Sequence, residues 1–156
     1  MAIPEAEEPA AERFLEEALA QPPAVVLIPG RQHARPRDAA PPSGIGPEDL
    51  SLAEVYDLST ALELDWYEHL GLCAPGDAEG LLRDGATTVG GRVPVNPSGG
   101  LACFGEAVPA QAIAQVCEVT WQLRGQAGDR QVADARVGVT ANKGLFGHGS
   151  SVLLST

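Results

Sequence analysis

Basic residues, long apolar runs and paired cysteines are all scarce in this chain. Only 10 lysine and arginine residues stand against 21 aspartate and glutamate residues, which gives a formal net charge of −11. This excess of negative charge argues against nucleic acid or an anionic membrane as the main partner. No stretch approaches the roughly 20 apolar residues of a membrane span, and the acidic start lacks the basic segment of a signal peptide. We therefore expect a cytoplasmic protein with no membrane span.

The cysteine pattern also excludes two classes of protein. Cys73, Cys103 and Cys117 are odd in number and lack the Cys-x-x-Cys spacing that is typical of zinc sites. We expect reduced thiols, with neither a disulfide framework nor a metal site. At 156 residues the chain has the length of one domain with a normal hydrophobic core.

The start of the chain differs in composition from the rest, so we divide the chain into an N-terminal segment, 1–45, and a domain, 46–156. The segment is rich first in alanine and glutamate, then in proline and arginine, which predicts local structure and a linker but little core. Its predicted parts are a helix over 5–21, a short strand over 24–28 that Pro29-Gly30 ends, and a linker over 31–46.

The domain alternates helical and extended patterns, and this order predicts an α/β fold with a mixed sheet. The predicted elements are a helical turn at 47–49, a strand at 52–55, a helix at 60–70 capped by Ser59, a helix at 77–84, extended pieces at 87–89 and 93–95 joined at glycines, a helix at 108–124, and strands at 135–140 and 151–155. In the helix at 60–70, the residues that should face the core are Leu62, Trp66 and Leu70. The inner side of the long helix is predicted to carry Ala112, Ile113, Val116, Thr120 and Leu123.

The stretch Val95–Ala107 predicts a strand that turns tightly into a helix. An Asn-Pro turn and two adjacent glycines provide backbone conformations that are closed to other residues. Such a corner suits a binding site. We take Asn96, Ser98, Gly99 and Gly100 as its substrate-binding candidates.

Three motifs together resemble the C-terminal half of the thiolase superfamily, in particular its acetyl-CoA acetyltransferase branch with the sterol-carrier-protein-type thiolases. They are Glu54–Ser59, Val95–Ala107 and the glycine-rich run Gly144–Gly149. The resemblance covers roughly residues 44–154. It implies one half of a two-lobed fold, with a mixed sheet of about five strands covered by helices on both faces. It also implies a coenzyme A (CoA) thioester as substrate and no further cofactor.

The resemblance assigns catalytic roles to positions where this chain departs from the family. Tyr56 stands where a histidine of the family helps to bind the carbonyl oxygen, and Leu58 replaces the cysteine two positions later. Glu106 stands where the family's Gly-His-Pro histidine activates the nucleophile, a role for which a carboxylate is a poor substitute because it disfavours a thiolate. Asn142 takes the place of the proton-shuttling cysteine of biosynthetic thiolases, and His148 is the fourth catalytic candidate. The nucleophilic cysteine of the family belongs to its other half.

Each of these positions also has a structural interpretation. Tyr56 could be a buried tyrosine with a satisfied hydroxyl, Glu106 a carboxylate that favours a helix start, and His148 a turn residue. In the family, glycines of the last motif let the backbone approach the thioester end of pantetheine, which makes Gly144 and Gly147 substrate-binding candidates. Plain turn geometry is the alternative for both glycines, and the run lacks the spacing of a dinucleotide fingerprint.

Tyrosine at the Tyr56 position also resembles certain thiolase-like retro-aldolases of steroid side-chain degradation. Such retro-aldolases act with a small partner protein that carries an OB-fold and a zinc ribbon. The resemblance therefore implies a partner of this kind. Three hypotheses follow. The leading one is part of a two-chain acyl-CoA acyltransferase that forms or cleaves a carbon–carbon bond, with a thiolase N-terminal half on a separate chain. The others are a non-catalytic scaffold or interaction subunit of a thiolase-like or retro-aldolase complex, and an acyl-thioester or lipid-binding module that self-associates to cover an apolar face.

Overall fold

A computed structural model describes residues 24–31, 44–107, 110–143 and 148–156. Only the backbone is described for 24–31 and for His148. The predicted N-terminal helix and most of the predicted linker lie outside these residues. The described part has four strands, β1 (Ala24–Arg31), β2 (Leu52–Val55), β3 (Val137–Lys143) and β4 (His148–Ser155), and four α-helices, α1 (Thr60–His69), α2 (Ala78–Arg83), α3 (Gly100–Phe104) and α4 (Ala110–Leu123). Single 3-10 turns lie at Pro47–Asp49 and Gly128–Arg130.

The strands form one mixed sheet in the order β1-β4-β3-β2. Strands β2 and β3 run parallel, and β4 pairs antiparallel with both β3 and β1. The predicted mixed α/β architecture is therefore confirmed. The described residues contain four strands in this sheet, however, and not the five that were expected.

The predicted extended pieces at 87–89 and 93–95 form no strand of this sheet, whereas β1 joins it from the N-terminal segment. The predicted extended segment closes on itself instead, because Val93 N donates to Ala86 O and Val95 N donates to Thr87 O, both at 2.9 Å. With its backbone groups used locally, it joins the sheet only through a single bridge between Val95 and Ala53.

Strand β1 also runs further than predicted. Its ladder with β4 continues through Pro29-Gly30 as far as Arg31, which pairs with His148. Because β1 is the edge strand of the sheet, a proline that lacks an N–H can be accommodated there. The prediction that these two residues end the strand was wrong.

Helices cover both faces of the sheet. On one face, α1 and α2 pack with Ala53, Val55, Val139 and Leu153 around the fully buried Tyr67. Helix α1 begins as predicted, since Ser59 Oγ accepts a hydrogen bond from Leu62 N at 3.3 Å. Its deepest residue is Tyr67, whereas Leu62 and Trp66 of the predicted core stripe are only half-buried.

Helix α4 packs on the opposite face, where Leu52 and Leu154 contact Val119 and Leu123. A glycine in β3 permits this close packing, because a Cβ at Gly138 would collide with the Val119 side chain. The helix itself agrees with the prediction in position and length.

The predicted inner side of α4 was partly wrong. Ile113 is 64% exposed, and Ala112, Val116 and Thr120 are only half-buried. The buried residues of α4 are Gln111, Gln115, Glu118, Val119, Gln122 and Leu123. Polar side chains can occupy this face because they find partners there: Glu118 pairs with Arg130 at 2.8 Å, and Gln122 Oε1 accepts from Val132 N at 2.7 Å.

Candidate functional site

A tight turn over residues 96–99, here called the corner loop, leads into helix α3. Asn96 has a φ of 50°, and Gly99 and Gly100 have φ of 93° and 62°. Glycine reaches this left-handed region without the steric cost of a Cβ, and asparagine tolerates it better than most residues do. The predicted turn into a helix is therefore present, although Val95 enters it from a bridge rather than from a strand.

Side chains hold the corner loop against β2. Asn96 Oδ1 accepts a hydrogen bond from Val55 N at 2.7 Å. Glu54 accepts two hydrogen bonds from Ser98, from its N at 3.1 Å and from its Oγ at 2.8 Å. The side-chain oxygens of Asn96 and Ser98 are thus engaged within the protein. Their role in substrate binding stays a prediction, as does that of Gly99 and Gly100.

The start of α3 is fixed by a carboxylate that follows β2. Asp57 Oδ1 accepts a hydrogen bond from Leu101 N at 2.9 Å. A Cβ at Gly100 would collide with the Asp57 carboxylate, so this contact requires glycine. The first and second motifs of the sequence are therefore joined by direct contacts.

Glu54 is a fully buried carboxyl group, and it lies beneath the corner loop. Burial raises the pKa of Glu54 to about 7, although the hydrogen bonds from Ser98 act in the opposite direction. The negative charges of Glu118 and Asp57 contribute smaller parts of this increase in pKa. Glu54 can therefore change its protonation state near neutral pH.

Tyr56 and Glu106 form a hydrogen-bonded pair at the carboxyl end of β2. The Tyr56 hydroxyl donates to Glu106 Oε1 at 2.5 Å. The Tyr56 backbone is held on both sides, because its N donates to Ala141 O at 2.9 Å and its O accepts from Trp66 Nε1 at 3.0 Å. The two predicted catalytic positions are 50 residues apart in sequence, and the fold brings them together.

The environment keeps Tyr56 as a neutral phenol. Burial, the hydrogen bond to Glu106 and the charge of Glu106 together raise the pKa of Tyr56 to about 12. The side chain is 5% exposed, whereas Glu106 is exposed. A phenol that donates to a carboxylate still has lone pairs with which it can accept a proton, so the pair can pass a proton from a ligand toward Glu106.

Asn142 lies beside Tyr56, at the end of the neighbouring parallel strand. The residues that precede them, Val55 and Ala141, are register partners. Its side chain belongs to a buried group of three amides, here called the amide cluster: Asn142 Nδ2 donates to Gln115 Oε1 at 3.0 Å, and Asn142 Oδ1 accepts from Gln111 Nε2 at 3.4 Å. This cluster lies between β3 and α4.

The last motif is described only in part. His148 begins β4 and pairs with Arg31, but its side chain is outside the described residues. Gly144 and Gly147 also fall outside them. The roles expected for these three residues remain predictions.

The sequence analysis missed Gln111 and Gln115. A signal was present, because Gln111, Gln115, Glu118 and Gln122 recur every three or four residues and so form one stripe of a helix. A polar stripe is normally exposed. Here it is buried: Gln111 and Gln115 meet Asn142 of β3, and Glu118 and Gln122 bond to residues 130–132.

The described residues offer little metal or thiol chemistry. No three histidine, cysteine, aspartate or glutamate side chains among them lie together as a metal ion would require. Cys103, close to the corner loop, is exposed and forms no disulfide. Within the same residues, no helix is both long and apolar enough to cross a membrane.

Comparison with known proteins places the chain in a family. Residues 16–156 match the family described as thiolase C-terminal domain-like. The chain therefore belongs to this family, as the three motifs indicated. Its described fold is also similar to a solved structure of the Ltp2-ChsH2(DUF35) aldolase, with a TM-score of 0.63 and 31% sequence identity over 72% of this chain and 28% of that one.

The curated relatives include a sterol carrier protein, an acetyltransferase and a thiolase subunit. Sterol carrier protein 2 of Rattus norvegicus is 46% identical over 105 residues, which are 67% of this chain and 19% of that protein. The acetyl-CoA acetyltransferase of Methanothermobacter thermautotrophicus is 41% identical over 74% of this chain and 30% of that protein. The benzoylsuccinyl-CoA thiolase subunit BbsB of Thauera aromatica is 38% identical over 69% of this chain and 31% of that protein. The chain thus spans less than a third of each of these relatives.

Proposed function

We propose that this domain is the second lobe of an enzyme that makes or breaks a carbon–carbon bond next to a CoA thioester. Tyr56 and Glu106 act as its proton-handling pair. The observation that carries the proposal is the 2.5 Å hydrogen bond between them at the carboxyl end of β2. In open α/β sheets, ligands bind beyond the carboxyl ends of the strands, and β2 and the parallel β3 both end here.

The retro-aldol form of this chemistry suits the pair best. It requires a group that accepts the proton of the substrate hydroxyl, and it requires no thiol on this lobe. The proton of a β-hydroxyacyl thioester passes to the Tyr56 oxygen while the Tyr56 proton passes to Glu106. The electron pair of the broken O–H bond forms the carbonyl of the departing aldehyde or ketone. The bond between the α and β carbons breaks, and its electrons form the thioester enolate. The enolate takes up a proton from water at the α carbon, and Glu106 returns its proton to water.

The proposal includes a second lobe that corresponds to the thiolase N-terminal half, on a separate chain, and an OB-fold and zinc-ribbon protein as a further partner. Two relatives support an assembly, since BbsB is named as a subunit and the aldolase name joins Ltp2 with ChsH2(DUF35). In the first two motifs, the apolar side chains of Leu58 and Phe104 are 53% and 44% exposed. In the proposed assembly, a partner chain covers these side chains.

The test is an assay of the chain together with the polypeptides that co-purify with it from its host. Cleavage of a β-hydroxyacyl-CoA without free CoA reports the retro-aldol reaction, and CoA-dependent cleavage of a β-ketoacyl-CoA reports thiolysis. We expect the first activity, and we expect Glu106→Gln to reduce kcat by about 100-fold because the proton acceptor is weakened.

The control for this substitution is Glu63→Gln. Glu63 also accepts a hydrogen bond from a tyrosine, Tyr67, at 2.6 Å, but Tyr67 belongs to the core on the other face of the sheet. This variant should keep the native kcat. A native complex that catalyses neither reaction would refute the proposal.

A second candidate function is a non-catalytic interaction subunit. It is favoured by the exposure of Glu106 and of apolar side chains in the first two motifs, and by the absence of histidine at the two family positions that Tyr56 and Glu106 occupy. Native turnover by a fully assembled Glu106→Gln complex would support this candidate over the catalytic one.

A further inference from the structure

Gln111 presents a buried acceptor that the described protein does not use. Its side chain is 2% exposed at the second position of α4. Among the buried side-chain nitrogen and oxygen atoms of the described residues, only Gln111 Oε1 and Asn96 Nδ2 have no hydrogen-bond partner. Buried polar atoms without partners are rare, because leaving one unpaired costs free energy. An unpaired acceptor at this place therefore points to a donor that the described residues do not supply.

The orientation of the Gln111 amide is determined by its neighbours in the amide cluster. Its Nε2 donates to Asn142 Oδ1 at 3.4 Å, and the Asn142 Nδ2 donates to Gln115 Oε1 at 3.0 Å. A half-turn of the Gln111 amide alone would place two carbonyl oxygens against each other. With the three amides oriented as in this structure, the unpaired atom is the oxygen.

This oxygen belongs to the same end of the sheet as the Tyr56–Glu106 pair. Val55 of β2 and Ala141 of β3 are register partners, so the residues that follow them, Tyr56 and Asn142, lie side by side. Asn142 is in turn the hydrogen-bond partner of Gln111. Glu106 lies just before α4, whose first turn is closed by a hydrogen bond from Gln111 N to Ala107 O at 3.0 Å. Tyr56 uses its proton on Glu106, so both Tyr56 and Gln111 offer acceptors to a ligand.

We propose that Gln111 Oε1 binds a hydrogen-bond donor of the acyl-CoA substrate, either an amide N–H of its pantetheine arm or a hydroxyl of its acyl chain. The inference rests on the proposed function, which supplies the substrate class. It adds a substrate-binding residue on α4 that belongs to the amide cluster, at the same end of the sheet as the proton-handling pair.

Calorimetric titration of the full chain with butyryl-CoA and with 3-hydroxybutyryl-CoA tests the inference, in the native sequence and in Gln111→Met. Methionine has a similar size and shape but no acceptor of comparable strength. We expect the dissociation constant to rise about 5-fold, which is the effect of one lost hydrogen bond. A rise for both ligands assigns the donor to the pantetheine arm, and a rise for the hydroxylated ligand alone assigns it to the acyl hydroxyl.

Unfolding in urea separates binding from a structural role. Gln111→Met should change the midpoint little, because it removes an unpaired carbonyl from the interior together with the long 3.4 Å hydrogen bond to Asn142 Oδ1, whereas Gln115→Met should lower it, because Asn142 Nδ2 loses its 3.0 Å acceptor. Unchanged affinity of Gln111→Met for both ligands would overturn the inference, while a slow Glu106→Gln enzyme would still support the proposed function. Failure of the native chain to bind either ligand would count against both.

Discussion

Replacement of Glu54 by glutamine should make the stability of this protein less dependent on pH. The carboxyl group is fully buried, and burial raises its pKa from 4.5 to about 7. The folded chain therefore binds this proton more tightly than the unfolded chain does. The stabilising contribution of the protonated group is complete below pH 4.5, and it is lost as the pH rises through 7.

The size of this effect follows from the shift in pKa. At about 1.4 kcal/mol per pKa unit, ionisation of Glu54 lowers the free energy of unfolding by about 3 kcal/mol above pH 7. Glutamine stays neutral at every pH, and its amide can accept from Ser98 N and donate to Ser98 Oγ. The advantage of Glu54→Gln over the native chain should grow by about 2 to 3 kcal/mol between pH 5 and pH 8.

Urea unfolding followed by tryptophan fluorescence at pH 5, 6.5 and 8 measures this difference. Glu79→Gln is the matched control, because the Glu79 side chain is 79% exposed. Loss of this carboxylate should change the free energy of unfolding by the same small amount at each pH. A gap between Glu54→Gln and the native chain that stays constant with pH would refute the reasoning that burial controls the Glu54 carboxyl group.

Three further substitutions test the packing that supports the site. Arg130→Met should lower the free energy of unfolding by about 2 kcal/mol in urea titrations, because it leaves Glu118, which is 3% exposed, without its ion-pair partner; an unchanged midpoint would contradict a stabilising pair. Gly138→Ala should cost about 1 to 3 kcal/mol in the same assay, since a Cβ there collides with a side chain of α4. Gly100→Ala should lower the thermal midpoint because of its φ of 62° and the nearby Asp57 carboxylate, and native stability would argue against this tight corner.

Local signals in the sequence predicted the elements that depend on local interactions. The Ser59 cap and the periodic apolar pattern located α1, and the apolar pattern also located α4. The segment around Val93 was harder to predict, because a short apolar triplet that follows Gly90-Gly91-Arg92 fits a strand and a closed turn equally well. The choice between them depends on where the backbone hydrogen bonds end, which is decided by the tertiary structure.

The candidate site was predictable where motifs carried it. The family resemblance singled out Tyr56 and Glu106, although it gave no reason for them to touch. The amide cluster could not be found in this way, since Gln111 and Gln115 look like solvent-facing residues until Asn142 is placed opposite them. Burial of a polar stripe depends on partners that are distant in sequence.

Turnover by a Tyr56→Phe complex is the most direct test of the central claim that Tyr56 and Glu106 handle the reacting proton. Tyr67→Phe is the matched control, since both hydroxyls donate to a carboxylate and both side chains are buried, but on opposite faces of the sheet. With assembly verified by light scattering, we predict a loss in kcat of at least about 100-fold for Tyr56→Phe and native turnover for Tyr67→Phe. Equal turnover by the two variants would contradict the claim.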